Sequence, residues 1–159
     1  MKILFINPPN FNHISSVLPE VIEGERGYNP PLGLLYLAGY LQEKEPSFKI
    51  SILDCPAEEV DYNQIKEKIK DFNPDIVGIT AMSFTLIDAL KLASLVKENN
   101  QNTKVIFGGP HVHIFPKETL EQGHIDYAVL GEGEITLHRL IQNLDRYEKL
   151  KEIPGLAFF

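Results

Sequence analysis

The sequence has one cysteine, Cys55, and no tryptophan in 159 residues. A single thiol cannot form an internal disulfide, and it cannot hold an iron–sulfur cluster, which takes several cysteine ligands. The first six residues, MKILFI, are too short for a signal-peptide core and lead directly into NPP. The low cysteine content fits a reducing compartment, so we expect a cytoplasmic protein.

Long apolar runs and an excess of basic residues are also missing. No run approaches the roughly 20 residues that a membrane helix needs, so we expect no membrane span. Lys and Arg number 15 against 22 Asp and Glu, which gives a net charge of -7. Because nucleic-acid binding needs a basic face, we expect no nucleic-acid partner. With 43% hydrophobic and 23% charged residues, the composition is that of one globular domain.

Strand-like and helix-like segments alternate along the chain. Apolar segments that predict buried parallel strands occupy 2–6, 48–53, 75–80, 104–109 and 126–131. Helical spacing predicts helices at 34–44, 62–72, 85–98 and 134–149, with a shorter turn at 116–122. Repeated βαβ units with right-handed crossovers make a doubly wound α/β domain. We therefore expect a flavodoxin-like, five-stranded parallel sheet in the order 2-1-3-4-5.

Two stretches depart from this regular alternation. Residues 7–33 are rich in Pro, Gly and Asn and make the first connection longer than a βαβ unit needs, which is typical of a functional or disordered loop. Residues 153–159, IPGLAFF, resemble the start of a further strand. We therefore expect 1–159 to be a single domain from a longer protein.

Glycine and small residues follow the carboxyl ends of four predicted strands, where open α/β sheets bind their ligands. These loops begin NPP at residue 7, TAMS at 80, GGPH at 108 and GEGE at 131. Glycine lets a ligand approach the backbone, and the GEGE turn opens a helix whose N–H groups are free donors. Any one loop alone is more simply a tight turn. Four such loops at one edge favour a roomy, weakly charged ligand site.

Several common nucleotide sites are excluded by residue type. The chain has no GxxxxGK(S/T) phosphate loop, and Pro-Pro-Asn stands where a flavodoxin has small hydroxyl residues. A phospho-receiver needs an aspartate at the end of the third strand, where Thr80 stands. GEGEIT at 131–136 lacks the third glycine of GxGxxG and follows the last strand instead of the first.

The motifs taken together resemble the cobalamin-binding domain at the amino end of many radical S-adenosylmethionine (SAM) enzymes. The matching pieces are NPP, PPLGLLYLAGYL at 30–41, DIVGIT at 75–80, GGPH at 108–111 and DYAVLGEGE at 126–134. Their order and spacing match along essentially the whole chain. The resemblance implies a flavodoxin-like fold that holds vitamin B12 at the carboxyl edge. The nucleotide tail would lie beside the sheet, and the corrin would face the next domain.

The resemblance also implies which residues bind the cofactor. Those expected to contact or admit the nucleotide tail are Thr80, Met82, Ser83, Gly108 and Gly109, with His111 beside them and Gly131, Glu132 and Gly133 in the last loop. Those expected under or beside the corrin are Asn7, Pro8, Pro9 and the stretch to Leu32.

The familiar cobalt-ligating motif of another branch of cobalamin domains, DxHxxG after the first strand, is absent, because that stretch reads NPPNFNHISS. The resemblance therefore implies base-off cobalamin with no histidine in place of the tail. We interpret His13 as an exposed loop residue, and the metal ligand stays unknown. A free lower face suits methyl transfer in a radical SAM methyltransferase-like parent. That parent's missing domain would supply the 4Fe-4S cluster and SAM, since CxxxCxxC is absent here.

Two alternatives stay open. The chain could be a stand-alone flavodoxin-like enzyme that uses Glu132, Glu134 and His111, although acidic residues at a helix start also fit the helix dipole. It could instead be a regulatory module that binds another nucleotide-tailed ligand. The substrate of the parent, a small molecule or a peptide, is not indicated by the residues.

Overall fold

The computed structural model describes residues 1–12 and 29–159 as a six-stranded sheet flanked by helices. The strands are β1 (Lys2–Asn7), β2 (Lys49–Asp54), β3 (Ile76–Thr80), β4 (Lys104–Gly108), β5 (Tyr127–Val129) and β6 (Leu156–Ala157). Their order is β2-β1-β3-β4-β5-β6; the first five are parallel and β6 is antiparallel to β5. The predicted parallel order 2-1-3-4-5 is confirmed, and the IPGLAFF segment adds an antiparallel edge strand.

The helices fill the connections between the strands. They are α1 (Leu32–Lys44), α2 (Cys55–Glu58), α3 (Tyr62–Phe72), α4 (Leu86–Asn99), α5 (Pro110–Ile114), α6 (Pro116–Leu120), α7 (Gly133–Gln142) and α8 (Tyr147–Leu150), with a 3₁₀ turn at Ser83–Thr85. The single predicted helix over 134–149 is wrong. Asn143 ends α7, because its side-chain amide donates to the Arg139 carbonyl at 2.9 Å. The α2 and α5 helices are too short for a helical repeat to predict them.

One face of the sheet, which we call the α4 face, is covered by α3, α4, α5 and α6. Its strand residues alternate along the chain, as Leu4 and Ile6 do in β1. Helix α4 packs on them through Ala89, Leu92 and Ala93, all with no exposed surface. The α4 helix therefore buries its small and apolar residues directly against the strands of this face.

The opposite face, which we call the α1 face, is covered by α1, α7 and α8. Its strand residues include Ile3, Phe5 and Ile106, and its helices contribute Leu34 and Leu137. Helices α1 and α7 both begin at the carboxyl edge of the sheet, because each follows a strand in the parallel array. Within the described ranges, none of the helices has the length and apolar character needed to cross a membrane.

Candidate functional site

A cavity of about 570 Å³ opens at the carboxyl edge of the sheet on the α1 face. The strands contribute its floor through Phe5, Gly78 and Ile106, and α1 and α7 contribute its walls through Leu37 and Leu137. The other described lining residues lie around these and at the mouth: Asn7, Asn29, Pro31, Leu32, Gly33, Leu34, Ile79, Thr80, Met82, Phe84, Phe107, Gly108, Gly109, Val129, Gly131, Glu132, Gly133 and Glu134. The interior of the cavity is therefore apolar.

The floor of the cavity depends on a glycine inside β3. Phe5 of β1 pairs in register with Gly78 of β3. A Cβ atom built on Gly78 would lie 2.7 Å from the Phe5 Cδ1 atom, closer than two carbon atoms can pack. The Phe5 ring therefore lies over the β3 backbone, and any side chain at position 78 would displace that ring.

The loops after β3 and β4 contact each other at the mouth. The Ala81 amide donates to the Gly108 carbonyl at 2.8 Å, and the His111 amide donates to the Ala81 carbonyl at 3.1 Å. Gly109 has a φ of 99°, and a Cβ atom there would lie 2.9 Å from both the Ala81 carbonyl oxygen and Thr80 Oγ1. Both the backbone conformation and the close approach therefore require glycine at this position.

The first turns of α1 and α7 form the remaining rim. Both helices place their N-terminal residues in the lining, including Leu32 and Gly33 of α1 and Gly133 and Glu134 of α7. In α1 the Leu32 and Leu34 amides already donate to the Pro30 and Pro31 carbonyls, at 2.8 and 2.9 Å. The helix dipole makes the N-terminal end of both helices positive. The rim therefore combines a weak positive field with the first-turn N–H donors of α7.

Carboxylates are the charged groups among the described lining residues, which include no Lys, Arg or His. Glu132 and Glu134 lie at the start of α7, and Thr80 and Asn29 add neutral polar groups. The Asn7 side-chain amide donates to Asp54 Oδ1 at 2.8 Å, which fixes its orientation at the end of β1. This set suits a largely neutral ligand with an apolar part better than a ligand that carries several phosphates.

A buried carboxylate holds the loop after β1 against the α4 face. Asp88 of α4 has no exposed surface and accepts from the Asn12 backbone amide at 2.9 Å and from the Asn12 side-chain amide at 2.8 Å. The Tyr62 hydroxyl also donates to Asp88. Burial raises the pKa of the Tyr62 phenol above its ordinary value, and the hydrogen bond to Asp88 and the charge of Asp88 add to the effect. Lys91 Nζ lies 3.6 Å from the centre of the Tyr62 ring.

Nine of the thirteen residues predicted to bind a cofactor line the cavity. They are Asn7, Leu32, Thr80, Met82, Gly108, Gly109, Gly131, Glu132 and Gly133. Pro8 and Pro9 are buried directly after β1 but are outside the described lining. Ser83 and His111 are also outside it and pair with each other, with Ser83 Oγ 3.0 Å from His111 Nδ1. His13 and residues 13–28 as a whole lie outside the described residues.

Sequence reasoning missed the floor and walls of the cavity. Gly78 carried a usable signal, because a glycine inside a buried strand marks a bulge or a close approach of another group. Leu34, Leu37 and Leu137 carried none, since their helical spacing is that of any core residue. The predicted trio of Glu132, Glu134 and His111 is not brought together, because His111 lies outside the described cavity lining.

Known proteins resemble this chain both in sequence and in fold. A protein described as an uncharacterized methyltransferase, from Pyrococcus horikoshii, is 40% identical over 159 residues, which cover 99% of this chain and 32% of the relative. The anaerobic magnesium-protoporphyrin IX monomethyl ester cyclase of Rubrivivax gelatinosus is 31% identical over 162 residues and is covered to 28%. The chain thus spans about a third of the length of the curated relatives that it matches.

A solved structure shares the fold. The radical S-adenosylmethionine methyltransferase TsrM from Kitasatospora setae, with cobalamin and a 4Fe-4S cluster bound, superposes with a TM-score of 0.76 at 19% identity. The superposition covers 99% of this chain and 28% of TsrM. The family of B12 binding domains matches residues 23–141, well over half of the sequence. The chain therefore belongs to the B12-binding domain family.

Proposed function

We propose that the cavity on the α1 face takes the nucleotide tail of cobalamin, while the corrin stays outside at the carboxyl edge. The observation that carries this proposal is the cavity itself, an apolar space between the Phe5–Gly78 floor and the first turns of α1 and α7. A volume of about 570 Å³ is in the range of pockets that hold ligands of drug size. It suits a nucleotide and leaves no room for a whole corrin.

The chemistry of the lining fits such a tail. An aromatic base would lie among Phe5, Ile106 and Leu137, which offer carbon surface. The ribose hydroxyls would meet acceptors such as Glu132 or Thr80 at the mouth, and a single phosphodiester charge would lie near the helix N-termini. At Gly33 and Gly131 no described atom lies within 4 Å of a built Cβ, so the backbone there borders open space.

We further propose that the cofactor is bound base-off, with no histidine replacing the tail. A base lodged in the cavity is removed from the cobalt, and the chain carries no DxHxxG motif to supply a histidine. When bound, cobalamin supplies a cobalt centre able to carry a methyl group. The role of this chain's residues is to bind the tail, orient the corrin against its neighbour and keep water from the tail.

The catalytic partner belongs to a longer polypeptide in this proposal. The described residues contain no group of three or more His, Cys, Asp and Glu side chains able to hold a metal ion, and Cys55 is the chain's one cysteine. A 4Fe-4S cluster and SAM would therefore be held by a radical SAM domain outside these 159 residues. We propose that 1–159 is the cofactor domain of a cytoplasmic, methyltransferase-like enzyme and completes no reaction alone.

A visible spectrum tests this proposal. The purified chain is incubated with hydroxocobalamin under reduction, desalted and scanned. We expect retained cobalamin with the spectrum of the base-off form. Parallel incubation with cobinamide, which lacks the nucleotide tail, measures what the tail contributes, and we expect cobinamide to be retained far less. Equal retention of cobinamide and cobalamin would contradict a tail-binding cavity.

Two glycines of α1 provide a matched pair of variants. Gly33 and Gly39 are both exposed, and no described atom lies within 4 Å of a Cβ on either, yet Gly33 lines the cavity and Gly39 does not. Gly33→Leu should place a side chain in the space for the tail and abolish cobalamin retention. Gly39→Leu should leave retention unchanged. Each replacement should favour the helix by about 1 kcal/mol, so a folding defect does not explain a loss.

A further inference from the structure

We propose that Ser83 and His111 are positioning residues, whose hydrogen bond holds the loop after β3 so that Met82 and Phe84 line the cavity. The role in binding rests on the proposed function, because the cavity matters only if it takes the tail. Neither residue belongs to the described cavity lining. Their contribution would therefore pass through the loop and not through contact with the ligand.

The two side chains connect loops that follow different strands. Ser83 begins the 3₁₀ turn after β3, and His111 lies in the first turn of α5, after β4. Ser83 Oγ and His111 Nδ1 are 3.0 Å apart, which is hydrogen-bond distance. The bond therefore spans from the β3 loop to the β4 loop at the rim of the cavity.

The β3 loop has a backbone bond of its own, because the Thr85 amide donates to the Met82 carbonyl at 3.1 Å, and the bond of Ser83 adds a side-chain connection to the β4 loop. Met82 and Phe84 both line the cavity, and they are 37% and 46% exposed. Side chains so exposed gain little from packing, so the core alone does not hold them in one conformation. Because Ser83 lies between them, a bond at its hydroxyl limits the movement of both neighbours.

His111 is suited to act as the fixed end of this bond. Its backbone amide donates to the Ala81 carbonyl at 3.1 Å, and its ring lies 5.3 Å from the Phe115 ring. The following turn is tied to the β4 loop, because the His113 amide donates to the Gly109 carbonyl at 3.2 Å. The backbone bond and the ring contact therefore hold the imidazole in place beside Ser83.

Two substitutions of His111 separate a role of Nδ1 from a role of the far ring nitrogen. Asn places its amide near the position of Nδ1, and Gln places its amide near that of Nε2. If the bond to Ser83 is what matters, His111→Asn retains the wild-type behaviour and His111→Gln does not. A direct contact of Nε2 with a ligand predicts the reverse order. Ser83→Thr keeps a hydroxyl and Ser83→Ala removes it, so these two form the second matched pair.

The first measurement needs no cofactor. The chain has two methionines, Met1 and Met82, so a sample labelled with carbon-13 at the methionine methyls gives two signals, and Met82→Leu assigns them. We expect the Met82 signal to move in Ser83→Ala and His111→Gln, and to move no further in the double variant. It should stay in place in Ser83→Thr, His111→Asn and the control His113→Asn, whose side chain is exposed. An unmoved Met82 signal in Ser83→Ala and His111→Gln overturns the proposal.

The second measurement is cobalamin affinity. Loss of one hydrogen bond should weaken binding about fivefold in Ser83→Ala and in His111→Gln, and no more than that in the double variant. Multiplied losses in the double variant would show independent roles and overturn the proposal. Failure of the wild type to bind cobalamin would instead refute the proposed function, while the Met82 signal would still decide whether the bond positions the loop.

Discussion

The two faces of the sheet are built from the same kinds of side chain, yet they differ in their cavities. A cavity of about 570 Å³ opens on the α1 face, and a smaller one of about 270 Å³ lies among the helices α4, α5 and α6 that cover the α4 face. On the α4 face, the small residues Ala89 and Ala93 lie in the helix and are fully buried in the core that it forms with the strands. On the α1 face, the small residue Gly78 is in a strand, and the Phe5 ring fills the space above it. On the helix side of this face, Leu34 and Leu37 line the cavity.

The two faces also differ in where their small residues lie, in a helix on the α4 face and in a strand on the α1 face. The small residues Ala89 and Ala93 lie in a helix that packs on the strands, whereas Gly78 lies in a strand and makes room for the Phe5 ring. At the rim, Gly33 at the start of α1 and Gly131 just before α7 leave open backbone, because no described atom lies within 4 Å of a Cβ built on either. In the proposed function, the cavity on the α1 face receives the ligand, while the buried residues of the α4 face contribute to stability.

Truncation of one leucine on each face tests this comparison most strongly. Leu92→Ala on the α4 face should lower the free energy of unfolding by about 2–5 kcal/mol, because Leu92 is fully buried in filled space. Leu34→Ala, beside the cavity, should cost only about 1–2 kcal/mol, since one side of Leu34 already lacks packing partners. Denaturant unfolding measures both values. Equal losses of unfolding free energy in the two variants would contradict a difference in packing between the two faces.

Removal of the Asp88 carboxylate should have the next largest effect. Asp88→Ala leaves the Asn12 amide and the Tyr62 hydroxyl without their acceptor, which should cost about 2 kcal/mol of unfolding free energy. Tyr62→Phe removes a single donor and should cost about 1 kcal/mol. Thermal unfolding at neutral pH measures both. If Asp88→Ala were as stable as the wild type, the carboxylate would not anchor the β1 loop.

The thiol of Cys55 reports on closure of the α4 face. Burial raises the pKa of Cys55 to about 12 from 9.0, and the charges of Glu58 and Asp54 add to the shift. Because the folded pKa is the higher one, stability is fully present below pH 9 and falls between pH 9 and 12, by about 1 kcal/mol at pH 10. Cys55→Ala should remove this part of the pH dependence.

A thiol reagent sharpens the same comparison. At pH 8 the native wild type should leave Cys55 unmodified by dithionitrobenzoate until denaturant is added, because the side chain is 1% exposed. In the Cys55→Ala background, Gly33→Cys should react at once, since a Cβ at Gly33 borders open space. Rapid modification of native Cys55 would show that the α4 face opens readily.

The smallest effect is expected where α1 and α7 are joined. Glu45 Oε1 lies 3.0 Å from His138 Nε2 and accepts from the Gln142 amide at 3.2 Å. The bonds to His138 and Gln142 lower the pKa of the Glu45 carboxyl below 4.5. Because the folded pKa is the lower one, its contribution is present above pH 4.5 and is lost as the pH falls below that value.

Glu45→Gln should therefore reduce the acid sensitivity of the fold slightly. Urea midpoints measured from pH 6 down to pH 3 should converge for variant and wild type. Protonation of Glu45 removes from the wild type the stabilisation that the variant lacks throughout this range. The exposed Glu43→Gln serves as the control and should follow the wild type. A constant difference across this range would show that the Glu45 contact contributes no pH-dependent stability.

The bounds of an element could be predicted closely where the apolar pattern begins and ends with the element itself. The strand at 75–80 was predicted within one residue, because Ile76, Val77 and Ile79 form an apolar run ended by polar residues. The separation of 134–149 into α7 and α8 was not predicted, since the apolar repeat continues through Leu144 and the break at Asn143 depends on one side-chain bond. Thr80 and Gly109 were placed at the site by their position after strands, which topology alone brings together.

Ser83 and His111 show the limit of that reasoning. Both follow strands at the carboxyl edge, so the sequence places them correctly at the edge, but it does not say toward which face each side chain turns. The 3₁₀ turn after Met82 and the positive φ of Gly109 decide this, and they pair the two residues outside the cavity.

The sequence by itself determined the class of fold, the order of the parallel strands and the edge of the sheet at which the cavity opens, because hydrophobic period and βαβ handedness depend on local chemistry. The tertiary structure alone decided that the cavity of about 570 Å³ opens on the α1 face. Its floor depends on contacts between residues as distant in the chain as Phe5 and Gly78. No local pattern encodes such a contact.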